Sequence, residues 1–301
     1  MMIYDVIIIG KGPAGLSAAV YAVRSGLRVL VLGRDTGALQ KADKIENYLG
    51  FTDPVSGSEL VEASTRQAER LGTEIISTEV TGISWQDQFT VHTTKESYQG
   101  LTLVLATGMP RKKASVKGLT AYEGRGVSYC ATCDGFFYRG KTVAVIGDGD
   151  YAFREASELK PFAAKIHLLT NGRPYQGAER DDAIEIDERP VVGLQGEDKV
   201  ESLTFGDGNQ LSVDGVFVAE GTASALDLAL KLGLENDGRA ITVEPYTQAT
   251  NLPGVFAAGD CTGGLLQIAV AVGEGAQAGM SAAAFVKTAR GEKTKRVQWG
   301  E

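Results

Sequence analysis

Two short stretches of this chain share one grammar. Residues 7–15 read IIIGKGPAG, and residues 145–152 read VIGDGDYA. Each begins with an apolar run of strand length, passes through alternating glycines and ends where a helix can start. A strand–turn–helix of this kind opens a βαβ unit whose glycines let a phosphate approach the backbone. Two such units in one chain of 301 residues point to two nucleotide-binding-type domains.

The flanking pattern supports the same wiring. Ile3–Ile9 reads as a buried parallel strand, Pro13 suits a first helical turn, Gly26 suits its stop, and Arg28–Leu32 reads as the next strand. An amphipathic helix is expected over Ser58–Leu71, with strands at Glu74–Ile83, Phe89–Thr94 and Tyr98–Leu105. The second unit predicts a strand at Thr142–Ile146, a helix at Tyr151–Leu159 and a strand at Lys165–Leu169. Further strands are expected at Val200–Phe205, Leu211–Val213 and Val216–Ala219, and a long Ala- and Gly-rich helix at Leu266–Arg290. The fold class is therefore α/β: two Rossmann-like dinucleotide-binding domains of the three-layer ββα type, the second inserted into the first. The expected boundaries lie near Ser115 and Glu244, giving 1–115 plus 244–301 for one domain and 116–243 for the insert.

Charge narrows the partners. The net charge is −8, and residues 116–243 carry 13 Lys and Arg against 21 Asp and Glu, so the whole excess sits in the insert. Nucleic acid is not an expected partner. An acidic partner would meet Arg111, Lys112 and Lys113, or the tail with Lys293, Lys295 and Arg296. Three cysteines are too few for a disulfide scaffold. The opening MMIYDVIII has no basic segment or cleavage signal, and no apolar run nears the ~18 residues of a membrane span. A cytoplasmic protein without membrane attachment is expected.

At the first turn Gly10, Gly12 and Gly15 form G-x-G-x-x-G, and Lys11 adds positive charge. The first glycine turns the chain, the second admits a pyrophosphate, and the third lets helix and strand pack. Amides at the helix start then face the phosphates. The acidic ribose contact that often follows the second strand is missing: Gly33 and Arg34 come first, and Asp35 reads as a solvated charge.

Cys130-Ala131-Thr132-Cys133 is C-x-x-C, with Asp134 next. A zinc site would need two more ligands, but only Cys261, His92 and His167 remain, and none repeats metal-ligand spacing. No metal is expected. A redox dithiol needs only the pair, with Asp134 as the local acid/base or a surface carboxylate.

Here the residues resemble a known family. GKGPAG at the start, IENYLGF at Ile45–Phe51, ATG at Ala106–Gly108, GVSYCATCDG at Gly126–Gly135 and PGVFAAGDCTGG at Pro253–Gly264 are similar to the low-molecular-weight thioredoxin reductases, over nearly the whole chain. The resemblance implies FAD, with Gly10, Gly12, Pro13, Ala14 and Gly15 around its pyrophosphate. It further implies Gln40, Asn47, Ala106, Thr107, Gly108, Gly259, Asp260, Gln267 and Ile268 along the cofactor, Asp260 holding the ribitol. It assigns Cys133 to face the flavin, Cys130 to attack the substrate disulfide and Asp134 to donate the proton. It implies a thioredoxin-like acceptor and a homodimer. Cys261 reads as packing beside the flavin.

The second turn departs from the family. Where the family reads G-G-G-x-S-A, this chain has Gly147-Asp148-Gly149-Asp150-Tyr151-Ala152. The family's His-Arg-Arg cluster, which grips the 2′-phosphate of NADPH, is replaced by Leu168-Leu169-Thr170-Asn171-Gly172-Arg173, leaving only Arg173. Glu220 stands where an apolar residue is usual. Losing charge-assisted hydrogen bonds of roughly 1.5–3 kcal/mol each weakens NADPH by orders of magnitude. The expectation is a pyridine-nucleotide-independent branch, resembling ferredoxin-dependent flavin thioredoxin reductases or a diflavin type. A ferredoxin donor, or a second flavin with Tyr151 either stacking on it or packing at the helix start, both fit that expectation. Trp299, near the end, reads either as a stacked indole covering the flavin face that nicotinamide would leave empty or as part of a loose tail or a dimer contact. An NADPH enzyme with atypical loops, a flavin dithiol oxidase using oxygen and a flavin redox sensor remain as alternatives.

Overall fold

The computed structural model describes residues 2–34, 39–40, 42–108, 116–221 and 223–292. The chain forms two compact units, Met1–Pro110 with Ser224–Glu301, and Arg111–Ala223 between them in sequence.

The first unit begins with β1 (Ile3–Ile9), α1 (Pro13–Arg24), β2 (Val29–Leu32), α2 (Gly57–Arg70), β3 (Glu74–Ile76), β4 (Val80–Trp85), β5 (Phe89–Thr93) and β6 (Ser97–Leu105). Proline opens α1, where its missing N–H costs nothing. Ser56 caps α2 through a reciprocal pair with Glu59. The expected single strand Glu74–Ile83 is two strands. The sheet order β3-β2-β1-β6-β5-β4 places β3 at one edge, parallel to β2, and β4 at the other, antiparallel to β5. Both halves are β-rich, so nothing in the local pattern marks the break between them.

The second unit contains β7 (Val127–Ser128), α3 (Ala131–Asp134), a 3-10 turn (Gly135–Tyr138), β8 (Thr142–Ile146), α4 (Asp150–Leu159) and β9 (Lys165–Leu169). β10 (Ile184–Asp187), β11 (Val191–Gln195), β12 (Ser202–Phe205), β13 (Gln210–Ser212) and β14 (Gly215–Val218) follow. Five strands form a parallel sheet in the order β10-β9-β8-β14-β7, and β11-β12-β13 form a separate antiparallel sheet. β8 and β14 are buried along almost their whole length, as parallel strands covered on both faces must be.

The chain then returns to the first unit as α5 (Ala225–Lys231), β15 (Val255–Ala257), a 3-10 turn (Asp260–Thr262) and α6 (Ile268–Ala289). β6 is long enough to take two partners on one edge. Its first half pairs with β5 and its last three residues pair in parallel with β15. Residues 224–243 were expected in the insert, but the unit boundary falls before Ser224. α5 packs on β4, and Ile241 N–H donates to the Cys261 carbonyl at 2.9 Å, which ties this stretch to the first unit.

α1 and α6 meet along small residues. A Cβ on Gly275 would lie 2.1 Å from the Ala14 carbonyl oxygen, and one on Gly279 would lie 2.3 Å from that of Ala18. Only glycine permits this approach. Among the described residues no helix is long and apolar enough to cross a membrane.

Candidate redox site and nucleotide turns

The first glycine turn has the geometry its spacing predicts. Gly10 has φ of +116°, and a Cβ there would lie 2.1 Å from the Ala106 carbonyl oxygen. A Cβ on Gly15 would lie 1.9 Å from the Gly10 carbonyl oxygen, so strand and helix close tightly on each other. Around Gly12 there is open space, which leaves its backbone and the start of α1 accessible to a ligand. Pro13 is half-buried at that start, Ala14 is buried beneath it, and Lys11 Nζ donates to Ser77 Oγ at 2.8 Å.

The other expected cofactor residues of this unit cluster in two places. Asn47 Nδ2 donates to Gln267 Oε1 at 3.1 Å, joining residues far apart in sequence, and Ile268 opens α6 directly after. Ala106 is buried, and Thr107 Oγ1 is buried with no hydrogen-bond partner among the described residues. Gly108 follows with φ of +73°. Gly259 donates its N–H to Glu274 Oε2 at 2.8 Å, and Thr262 Oγ1 reaches the same oxygen at 3.3 Å, so α6 holds the turn that presents Asp260. Glu274 is a supporting residue that the motif reading missed. Cys261 is buried, its thiol 3.3 Å from the Ala258 carbonyl and pushed up to about 12 chiefly by desolvation. Gln40 is exposed in a short 3-10 turn. Asp35, Arg111–Lys113 and the tail with Lys293, Lys295, Arg296 and Trp299 lie outside the described residues.

In the second unit Cys130 and Cys133 form a disulfide. Cys130 is only 3% exposed, whereas Cys133 is exposed. The pair sits at the start of α3. Cys130 Sγ accepts Cys133 N–H at 3.2 Å, and Ser128 Oγ accepts Cys130 N–H at 3.1 Å. Ser128 also donates to Asp134 Oδ2 at 2.7 Å, which orients that carboxylate beside the disulfide turn. Glu155, from α4, accepts Ala131 N–H at 2.9 Å. Neither Ser128 nor Glu155 was singled out by the sequence. Phe136 and Phe137, just beyond, are 61% and 67% exposed.

The second glycine turn keeps its backbone form. A Cβ on Gly147 would lie 2.2 Å from the Ala219 carbonyl oxygen, while Gly149 has open space around it. Its surroundings are occupied by the chain's own groups. Arg173 Nε lies 3.1 Å from Asp148 Oδ2, and its NH2 lies 3.0 Å from Glu220 Oε1. Asp150 Oδ1 accepts Ala178 N–H at 2.7 Å, and the Asp148 carbonyl accepts Gln176 N–H at 2.7 Å. Residues 173–178 are thereby tied across the start of α4. The carboxylates expected to repel a phosphate also engage the one arginine left to hold it. Tyr151 is 1% exposed and packs inside the unit, which agrees with the helix-start packing reading of this residue.

The chain matches the pyridine nucleotide-disulphide oxidoreductase family model over residues 4–275. A thioredoxin reductase of Treponema pallidum is 35% identical across 95% of this chain and 98% of that protein. The crystal structure of the atypical thioredoxin reductase TRi from Desulfovibrio vulgaris Hildenborough is 41% identical, with a TM-score of 0.90 over 94% of this chain and 98% of that one. A ferredoxin-flavin thioredoxin reductase from Clostridium acetobutylicum is 34% identical, with a TM-score of 0.67 over 96% of this chain and 99% of that one. With its glycine turns, its C-x-x-C disulfide and these relatives, the chain belongs to the pyridine nucleotide-disulphide oxidoreductases, as a thioredoxin reductase-like, flavin-dependent disulfide oxidoreductase.

Proposed function

We propose that this enzyme reduces the disulfide of a thioredoxin-like protein through Cys130 and Cys133, with electrons from a donor other than NADPH. One observation carries the second half: Arg173 is bound by both Asp148 and Glu220. A 2′-phosphate would have to displace two carboxylates from that guanidinium and would gain no other arginine of the lost cluster. The donor class we propose is a ferredoxin, in keeping with the ferredoxin-flavin relative of Clostridium acetobutylicum. A second flavin in the altered pocket is disfavoured by the buried Tyr151 and by the tie of residues 173–178 across the turn.

The residues present fit FAD. The space at Gly12 admits a pyrophosphate at the start of α1, and the buried Thr107 hydroxyl, without a partner among the described residues, offers a polar contact. Gly10, Gly12 and Gly15 would hold the pyrophosphate, Asp260 the ribitol, and Asn47, Gln267 and Ile268 the ring edge. When bound, FAD supplies the two electrons that open the Cys130–Cys133 disulfide.

The protein's own groups perform the rest. The Cys130 thiolate attacks one sulfur of the substrate disulfide, forming a mixed disulfide and expelling a thiolate that takes its proton from Asp134. Cys133 then attacks Cys130, releases the second substrate thiol and restores the pair. Cys130 is buried as the disulfide stands, so its turn must uncover before attack. The exposed Phe136 and Phe137 offer apolar surface beside the turn, which suits a protein substrate better than a small disulfide. A cytoplasmic homodimer is the proposed setting.

The test is anaerobic mixing of the holoenzyme with NADPH, and separately with reduced ferredoxin. Flavin absorbance and thiols released from oxidised thioredoxin are followed. Bleaching and thiol release with ferredoxin alone are expected, and rapid bleaching by NADPH would overturn the proposal.

A further inference from the structure

Glu155 lies in the middle of α4 and is 1% exposed. A carboxylate is rarely buried without a fixed role, because removing it from water is unfavourable unless its partners compensate. Here one partner is the Ala131 amide, the first residue of the turn that carries the redox pair. We propose that Glu155 is a positioning residue of the dithiol: through the Ala131 amide it fixes the turn behind Cys130, and its charge there disfavours the Cys130 thiolate. This inference rests on the reading of Cys130 and Cys133 as the working pair.

The hydrogen bonds around the turn support it. A cysteine at a helix start ordinarily has its thiolate stabilised by the amides that follow. Of those amides, Ala131 N–H goes to Glu155 and Cys133 N–H goes to Cys130 Sγ. The amide of Cys130 itself goes to Ser128. Glu155 therefore withdraws one donor from the sulfur and places an acid on the peptide that directly follows Cys130. Both effects raise the proton affinity of Cys130. A dithiol whose thiolate is disfavoured is a stronger reductant, because its reduced form gains less from ionisation. Glu155 thus biases the pair towards giving electrons to a substrate and away from acting as an oxidant.

Other titratable groups on the packed elements are Asp134 in α3, Tyr138 in the 3-10 turn, Asp150, Tyr151, Arg154 and Glu158 in α4, and Lys165 and His167 in β9, which packs on α4. Asp134 is oriented by Ser128, the phenol of Tyr138 is raised by burial and then by Asp134 and Asp214, and Arg154 pairs with Glu158 at 3.5 Å. β7 contributes the uncharged Ser128. Asp134 acts on the thiol in the same direction as Glu155, so the test must separate the two.

The test uses the holoenzyme with Glu155→Gln, Glu155→Ala and Asp134→Asn. Each is made once with both cysteines present and once together with Cys133→Ser. In the Cys133→Ser proteins, ultraviolet thiolate absorbance against pH reads Cys130. With both cysteines, equilibration against reduced and oxidised glutathione reads the pair: disulfide plus two glutathione thiols in exchange for dithiol plus glutathione disulfide. Glu155→Gln still accepts the Ala131 N–H but carries no charge. It should lower the Cys130 midpoint by about half to one pH unit and, above that midpoint, shift the glutathione equilibrium about three- to tenfold towards the dithiol. Combined with Asp134→Asn, the two shifts should add. Coincident titrations of Glu155→Gln and the parent, with Glu155→Ala only less stable, would reduce Glu155 to a packing support and overturn the inference. A parent pair that cannot be cycled between disulfide and dithiol would instead sink the reductase reading, and the inference with it.

Discussion

Arg173 and Asp148 meet across the second glycine turn, Nε to Oδ2 at 3.1 Å, and Glu220 takes the other end of the same guanidinium. The turn therefore retains its glycine backbone while Arg173, the cation beside it, is engaged from two sides. Arg173 is half-exposed, so neither ion pair contributes much to stability. The effect proposed for them is on what the pocket binds.

Releasing the guanidinium needs both acids removed. Asp148→Asn alone leaves Glu220 in place and should change little. Asp148→Asn with Glu220→Gln should tighten 2′,5′-ADP by at least about tenfold, one charge-assisted pair, in a calorimetric titration. Unfolding midpoints should move by less than about 1 kcal/mol.

Either cysteine substituted by serine should abolish reduction of oxidised thioredoxin while leaving flavin content unchanged. Cys130→Ser removes the attacking sulfur, and Cys133→Ser strands the mixed disulfide, which mass spectrometry of the trapped adduct would reveal.

Asp134→Asn keeps an oxygen to accept from Ser128 but has no proton to give. Turnover with thioredoxin should fall about 10²-fold, with the loss smaller at low pH, where solvent supplies protons. Ser128→Ala should give a smaller loss, since Asp134 stays ionisable but is no longer held. Steady-state pH profiles of both variants check this.

The Cys261 thiol is held at about 12, against 9.0 for an unperturbed thiol. The folded state keeps its proton after the unfolded state has lost it. Stability from this group is thus complete below about pH 9 and declines as pH rises towards 12. Cys261→Ala should flatten that alkaline decline in denaturant titrations, and the native thiol should resist iodoacetamide at neutral pH.

Gly12 and Gly275 should respond in opposite ways. Gly12→Val has room for its side chain in the fold but fills the space a pyrophosphate would use, so a folded protein lacking FAD is expected. Gly275→Val drives a side chain into the Ala14 carbonyl and should cost about 3 kcal/mol in unfolding free energy.

The repeated strand–glycine–helix pattern was legible because it is local: β1, α1, β8, α4 and β9 lie within a residue or two of where apolar runs and glycines place them. β3 and β4 read as one strand because the two halves differ only in which neighbour they pair with, at opposite edges of the sheet. β7 and β15 span two and three residues, too few for a period to register. At the site, the residues with unusual identity could be named in advance. Asp148, Glu220 and Arg173 each stood out, yet their mutual pairing depends on strands that only the fold brings together. Glu155 and Ser128 carried no signal, since a lone acid on an amphipathic helix and a serine before a cysteine pair are unremarkable until the Ala131 and Cys130 amides are found on them.

The seam between α1 and α6 has a consequence for synthesis. On the ribosome, α1 emerges well before its partner helix and β15, which follow only after the whole of Arg111–Ala223 has been made. The intervening segment can complete its own sheet while the first unit still lacks β15 and α6. Completion of the first unit is thereby deferred until β15 and α6 have been made, and a nascent chain cut before them would carry the folded Cys130–Cys133 turn without its completed companion unit.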